Sequence, residues 1–299
     1  MNRIIITGAS GFVGTNLLSF LSDRGWTDNH KLSLRGEIPK VLPEAQAIIH
    51  LAGKAHDLKK ASNGNEYFRI NTDLTKELFD TFLRSKISDF IYFSSVKAVA
   101  DTVDGVLRED VTPKPGTPYG ESKLKAEQYL LSRELPEGKR LFIFRPCMIH
   151  GPNNKGNLNL LYKVVKKGIP YPLGAFENKR SFLSIDNLLV VIERVLRDTA
   201  IPGGVYNLAD DGALSTNEVI EIIAKADGRK PRIWSLSPNL IGAFAKLGDI
   251  FHLPLNTERL KKLTESYVVS NEKIKEALNI DNLPVSIRAG LFETIQSFQ

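Results

Sequence analysis

Tyr119 and Lys123 stand four residues apart in Tyr119-Gly120-Glu121-Ser122-Lys123, the spacing that places a phenol and an ammonium on one face of a helix. A phenol is a poor base at neutral pH. A cation about 5 Å away, at an effective dielectric near 20, favours the phenolate by roughly 3 kcal/mol, about two pKa units. The pair can then pass a proton to or from an alcohol. Thr117 and Pro118 directly upstream are residues that cap and open a helix, so the pair belongs to its first turns. Ser95, in Phe93-Ser94-Ser95-Val96-Lys97, follows an apolar run. A hydroxyl at a strand end can hydrogen-bond an oxygen on which charge develops. Each feature alone has a plainer reading, as a surface Tyr-Lys pair or a serine satisfying loop backbone; their joint presence with a glycine loop favours chemistry.

That loop is Gly8-Ala9-Ser10-Gly11-Phe12-Val13-Gly14, between an apolar run at 3–7 and a helical pattern at 12–24. Gly8 suits a tight turn, Gly11 the close approach of a pyrophosphate, and Gly14 close helix-to-strand packing, with the helix N-terminus facing the anion. The implied ligand is a dinucleotide. An acid roughly 20 residues further on would hold the adenosine ribose 2'-hydroxyl. Here a second strand, read at 31–35, ends Leu32-Ser33-Leu34-Arg35 with no carboxylate before Glu37. A guanidinium can pair with a 2'-phosphate. NADP(H) is therefore favoured, with NAD(H) open and a plain surface role for Arg35 as the alternative.

These groups need a scaffold that brings strand ends and helix starts together. Apolar runs at 3–7, 46–52, 90–94 and 141–144 alternate with helical patterns at 12–24, 66–85 and 118–133. Continuous β-branched and aromatic runs between helices predict strands buried on both faces, hence an α/β fold with a Rossmann-type doubly wound parallel sheet. Between the second strand and the next there is room for neither a helix nor a further strand, so the sheet is expected to lack one unit on its adenosine side. After Arg145-Pro146 the texture shifts to loops rich in Gly, Pro and Asn. Residues 1–150 read as the dinucleotide-binding domain and 151–299 mainly as a smaller mixed α/β substrate-binding domain, with part of 181–210 returning to the first. Ser215-Thr216-Asn217-Glu218 is a capping box, and Ser270 precedes another helix at 271–278. Trp26, Trp234 and the apolar stretch 240–253 read as core or helix packing rather than as a membrane anchor, and His50 and His150 as structural.

Composition sets the outer bounds. The 299 residues are 42% hydrophobic and 25% charged, which excludes disorder and coiled coil. One cysteine, Cys147, allows no internal disulfide, and five scattered histidines offer no metal-ligand spacing, so no metal is expected. No run is long enough to span a membrane, and no signal-peptide pattern is visible, so a cytoplasmic location is expected. The net charge of +6 is dispersed over pairs such as Lys59-Lys60 and Lys166-Lys167. It suits a phosphorylated small ligand better than nucleic acid, which is not expected as a partner.

Together these motifs resemble the extended short-chain dehydrogenase/reductase superfamily, in its nucleotide-sugar epimerase, dehydratase and ketoreductase branch. The resemblance also draws on Ile48 to Gly53, Asn71, Ile149-His150-Gly151-Pro152, Asn178 to Phe182 and Asp186-Asn187. It implies a catalytic triad of Ser95, Tyr119 and Lys123. It implies cofactor contacts from Gly8, Ser10, Gly11, Phe12, Val13, Gly14, Arg35, Leu51, Ala52, Gly53, Asn71 and Ser94, with Pro146 near the nicotinamide. Substrate contacts are implied at Ser95, Lys97 and Arg180, the last as a clamp on a diphosphate, with Arg259 as a second clamp. It also implies a homodimer through the helices at 66–85 and 118–133. The related 4,6-dehydratases carry an Asp-Glu pair where this chain has Val96-Lys97. The chain looks most like bacterial surface-polysaccharide enzymes that reduce UDP-4-keto-6-deoxy-N-acetylhexosamines, with a UDP-sugar 4-epimerase retaining NAD as the alternative. A reductase of ketones without a nucleotide would have no use for Arg180. A dinucleotide-sensing regulator would have no use for the Tyr-Lys pair.

Overall fold

The structure is a computed structural model that describes residues 3–54, 64–154, 156–251 and 256–299; Lys59, Lys60 and Leu253 lie outside them. The chain opens with β1 (Arg3–Thr7), α1 (Phe12–Ser22), β2 (Asp28–Leu32) and β3 (Ala47–His50). The helical pattern at 66–85 is interrupted. A short α2 (Gly64–Tyr67) passes through a π-helical segment, Phe68–Asp73, into α3 (Leu74–Arg84). Next come β4 (Asp89–Phe93), β5 (Val106–Leu107), α4 (Pro118–Leu131), β6 (Arg140–Pro146), β7 (Met148–His150) and α5 (Asn157–Lys166). The remainder is β8 (Phe182–Ser184), α6 (Ile185–Arg197), β9 (Gly204–Leu208), α7 (Thr216–Ala226), α8 (Pro238–Phe251) and α9 (Thr257–Thr264). It ends with β10 (Val268–Val269), α10 (Glu272–Leu278) and α11 (Ile287–Gln296).

Six parallel strands form one sheet in the order β2-β1-β3-β4-β6-β9. Alternate residues supply its two faces, as the pleat requires. Ile4, Ile6, Ile49, Ile91, Phe142 and Phe144 pack with α1 and α6 on one side. Ile5, Ile48, Phe90, Tyr92 and Ile143 meet Leu78, Phe79 and Phe82 of α3 and Ala126 and Leu130 of α4 on the other. A separate apolar cluster joins α5, α7 and α11 around Tyr162, Ile223 and Leu291. The parallel pairs β5–β10 and β7–β8 link that part of the chain to the sheet.

The doubly wound parallel sheet matches the expectation from sequence, and it ends at β2 with no strand outside it among the described residues. Ile38 and Leu42, in the irregular segment after β2, cover the sheet face in place of a crossover helix. Three expectations are corrected. The second strand is Asp28–Leu32 rather than 31–35, because β2 is an edge strand whose Asp28, His30 and Lys31 face outward and give no apolar pattern. Ser270 is not the cap of α10; Asn271 occupies that position, and the Ser270 hydroxyl only accepts from Glu272 N at 3.3 Å. Trp26 is buried as expected, but Trp234 is 56% exposed.

Phe90 sits at the centre of the second face, within 5.0 Å of Phe79 and 5.2 Å of Phe82 between ring centroids. Phe90→Ala leaves a cavity there and should lower unfolding free energy by about 3–5 kcal/mol, measured by denaturant titration.

Candidate active site

At the β1-to-α1 turn the backbone comes close enough to its neighbours to exclude side chains. A Cβ on Gly8, whose φ is +68°, would lie 2.7 Å from Ala52 N, and one on Gly14 would lie 2.5 Å from Gly8 O. Gly11 N donates to Gly8 O at 3.0 Å, and Gly11 begins α1 without a side-chain cap. The first-turn N–H groups therefore face outward, with Ser10 and Gly11 exposed and Phe12 and Val13 half-buried behind them. This cradle fits the pyrophosphate of a dinucleotide. Arg35 is exposed three residues past the end of β2, and its backbone N donates to Ser33 Oγ at 3.4 Å.

The loop after β3 completes the cradle. Leu51 N donates to Thr7 O at 3.3 Å and Ala52 N to Thr7 Oγ1 at 3.1 Å. Thr7 Oγ1 lies 2.7 Å from His50 Nδ1, His50 Nε2 lies 2.8 Å from Thr75 Oγ1, and that hydroxyl donates to Asn71 O at 2.8 Å. With the Thr75 proton directed at Asn71, Nε2 must carry the imidazole proton and Nδ1 must accept from Thr7. His50 is thus a neutral brace, and burial together with the Lys123 charge lowers its pKa to about 3. Asn71 lies in the π-helical segment. Its amide accepts from Lys54 N at 2.7 Å and donates to Lys54 O at 3.1 Å and Ser122 Oγ at 3.0 Å. This explains the interruption of the helix: the wider turn lets Asn71 tie the loop at Gly53 to α4. A Cβ on Gly53 would lie 3.0 Å from Asn71 Oδ1 and 3.1 Å from Lys123 Nζ.

Ser95, Tyr119 and Lys123 come together at the C-terminal edge of the sheet. Thr117 caps α4 by accepting from Gly120 N at 3.2 Å, and Gly120 lets the first turn press against the Lys97 carbonyl. The Tyr119 side chain hydrogen-bonds that of Ser95 and meets Tyr67 edge-on, with 6.2 Å between ring centroids. Lys123 is buried, donates to Phe93 O at 2.7 Å and lies 4.9 Å from the Tyr92 ring centroid. Burial lowers its pKa to about 8, and Glu127 opposes that. Glu127 also accepts from Ser94 Oγ and from Arg145 Nη2, the latter at 2.6 Å, all of them buried. One expectation changes: burial raises the Tyr119 pKa, while the Ser95 hydrogen bond lowers it and Tyr67 raises it. In the protein alone, desolvation of the phenol sets the direction, and the anticipated help from Lys123 is not among its causes.

Pro146, the last residue of β6, is buried opposite Leu208. On the outer side, Lys97 Nζ donates to Asp101 O at 2.8 Å and lies 4.1 Å from the Tyr267 ring centroid. Burial lowers the Lys97 pKa; Asp101 and Glu265 oppose that, while Arg180 and Lys262 add to it. Arg180 Nε donates to Glu265 O at 3.3 Å and its Nη2 to Lys262 O. Arg259 lies on the exposed side of α9, and the α9 charge that reaches Lys97 is that of Lys262. Cys147 packs among apolar residues, and burial raises its pKa well above the usual thiol value.

Three residues of this site were missed in the sequence. Glu127 could have been found by extending the Tyr119–Lys123 face one more turn. Tyr67 offers no comparable pattern, and neither does Tyr267, whose hydroxyl donates to Ala100 O at 2.7 Å across 167 residues of chain.

The chain matches the NAD dependent epimerase/dehydratase family over residues 4–209. It is 30% identical to the UDP-glucose 4-epimerase of Vibrio cholerae, over 99% of this chain and 95% of that protein. It is 28% identical to the GDP-6-deoxy-D-mannose reductase of Pseudomonas aeruginosa, over 74% of this chain and 79% of that one. Among solved structures, MoeE5 in complex with UDP-glucuronic acid and NAD superposes with a TM-score of 0.75 at 21% identity, covering 99% of this chain and 98% of that one. RMD from Pseudomonas aeruginosa complexed with NADPH superposes with a TM-score of 0.73 at 23% identity, covering 100% and 99%.

The neutral brace predicts a pH dependence. Folded His50 refuses the proton that the unfolded chain binds below pH 6.5, so stability falls as pH drops from 6.5 toward 3, by about 1.4 kcal/mol per pH unit. Denaturant titrations between pH 7 and pH 5 should show a steeper loss in the parent than in His50→Gln; parallel curves would refute the assignment.

Proposed function

The chain belongs to the NAD-dependent epimerase/dehydratase family, and we propose that it reduces C4 of a nucleotide-linked sugar, a UDP-4-keto-6-deoxy-N-acetylhexosamine, with NADPH. The carrying observation is the Ser95–Tyr119 hydroxyl pair beside buried Lys123, next to a glycine cradle that fits a dinucleotide. When bound, the nicotinamide supplies the hydride to C4. Tyr119, whose raised pKa keeps it protonated, donates its proton to O4. Ser95 donates a hydrogen bond to the same oxygen and orients it. Lys123 stabilises the phenolate left behind, which regains its proton from solvent. Val96, packed in an apolar cluster, and Lys97, turned to Asp101, follow Ser95, so no carboxylate stands there to serve elimination of water. Arg180 and Lys97 supply the positive side for the diphosphate, and exposed Arg35 supports the phosphorylated dinucleotide.

The second reading, a UDP-sugar 4-epimerase that keeps NAD, is favoured by the near full-length similarity to the Vibrio cholerae enzyme. The two readings differ in cofactor traffic, since a reductase must exchange its nucleotide and an epimerase returns the hydride to its own substrate.

Tyr119→Phe should lower turnover by about 10²- to 10⁴-fold while leaving dinucleotide affinity nearly unchanged; equal turnover would overturn the assignment. Nucleotide released by denaturing freshly desalted protein separates the two readings. An empty site that then binds NADPH is expected, and stoichiometric NAD would replace the reductase with the epimerase.

A further inference from the structure

α8 is apolar on two sides, and only one of them is covered. Ile241, Ala245 and Gly248 face inward, whereas Leu240, Phe244, Leu247, Ile250 and Phe251 are between 46% and 67% exposed. At 100° per residue the exposed set spans an arc of roughly 120°, bordered by Lys246. The expectation that this stretch is all packing is therefore only half met. Trp234 and Leu263 add exposed apolar surface before and after it in the chain, and α9 packs against α8.

Cations outnumber carboxylates on α8 and α9. On these two helices Lys246, Arg259, Lys261 and Lys262 stand against Asp249 and Glu258. Both carboxylates are engaged, Glu258 with Lys262 at 2.6 Å and Asp249 with Thr257 N at 3.1 Å. An isologous contact with a second copy would bring these cations face to face. An acidic surface with an apolar interior complements them. We propose that α8 and α9 form a docking surface for an anionic phospholipid bilayer, with the exposed arc of α8 lying in the interface. No helix of the described residues is long and apolar enough to cross a membrane, which agrees with a helix lying in the interface plane. α9 joins this face to the substrate side, because Arg180 donates to the carbonyls of Lys262 and Glu265. Docking is independent of the reaction proposed above.

Vesicle flotation of the full chain tests this. The protein should float with phosphatidylcholine–phosphatidylglycerol vesicles and bind phosphatidylcholine vesicles more than about tenfold less, since each cation at an acidic surface contributes about fivefold. Phe244→Asp with Leu247→Asp should abolish flotation at an unchanged melting temperature. Lys246→Glu with Lys261→Glu should weaken binding to the acidic vesicles only. Absence of flotation by the parent, or equal flotation by the Phe244→Asp/Leu247→Asp variant, overturns the proposal. So does a concentration-dependent dimer in sedimentation that the same pair of substitutions removes, which would make a second copy the occupant.

Discussion

An ammonium taken out of water loses its proton unless its surroundings compensate it, and Lys123 imposes that requirement on everything around the C-terminal edge of the sheet. The compensation comes from three elements. β4 offers the Phe93 carbonyl, α4 offers Glu127 one turn further along the same face, and β6 offers Arg145, which holds Glu127 in place together with Ser94. The result is a lysine with a pKa of about 8 rather than one that is fully neutral. Its position also fixes the neighbours: Gly53 has no side chain because Lys123 and Asn71 fill the space that one would take.

The glycine cradle and the charged side around Lys97 are built by different means. On the first, the backbone itself is the binding surface, and glycine is demanded wherever β1, α1 and the loop after β3 approach one another. The braces behind it are neutral hydroxyls, an imidazole and an amide, whose protons form a directed chain from Ala52 to Asn71. Such a chain adds no charge beside the cradle. On the second side the groups are long and charged, and Arg180, Lys262 and Glu265 all act on Lys97. Long cations adapt to a flexible diphosphate, whereas a rigid backbone cradle suits a cofactor whose geometry is constant.

The same economy is absent from α8. A helix that is apolar on more than its inner face leaves hydrocarbon in water, and α8 does so beside α9, whose Lys262 carbonyl accepts from Arg180.

Local chemistry was readable from the chain because it depends on short spacings. The parallel sheet, the glycine turn, the Tyr119–Lys123 face, the capping box at Ser215 and the missing unit after β2 all follow from residues within about one element of each other. β2 itself was misplaced by a few residues, because an edge strand exposed to solvent carries no apolar period. Tertiary structure alone decided the π-helical turn at Asn71, the His50 relay, the burial that raises Tyr119, and the meeting of Tyr267 with Lys97. Each of these joins segments far apart in the chain, and each depends on how much water is removed on assembly. Spacing along a sequence sets which side chains share a face, but only packing sets the dielectric in which they act.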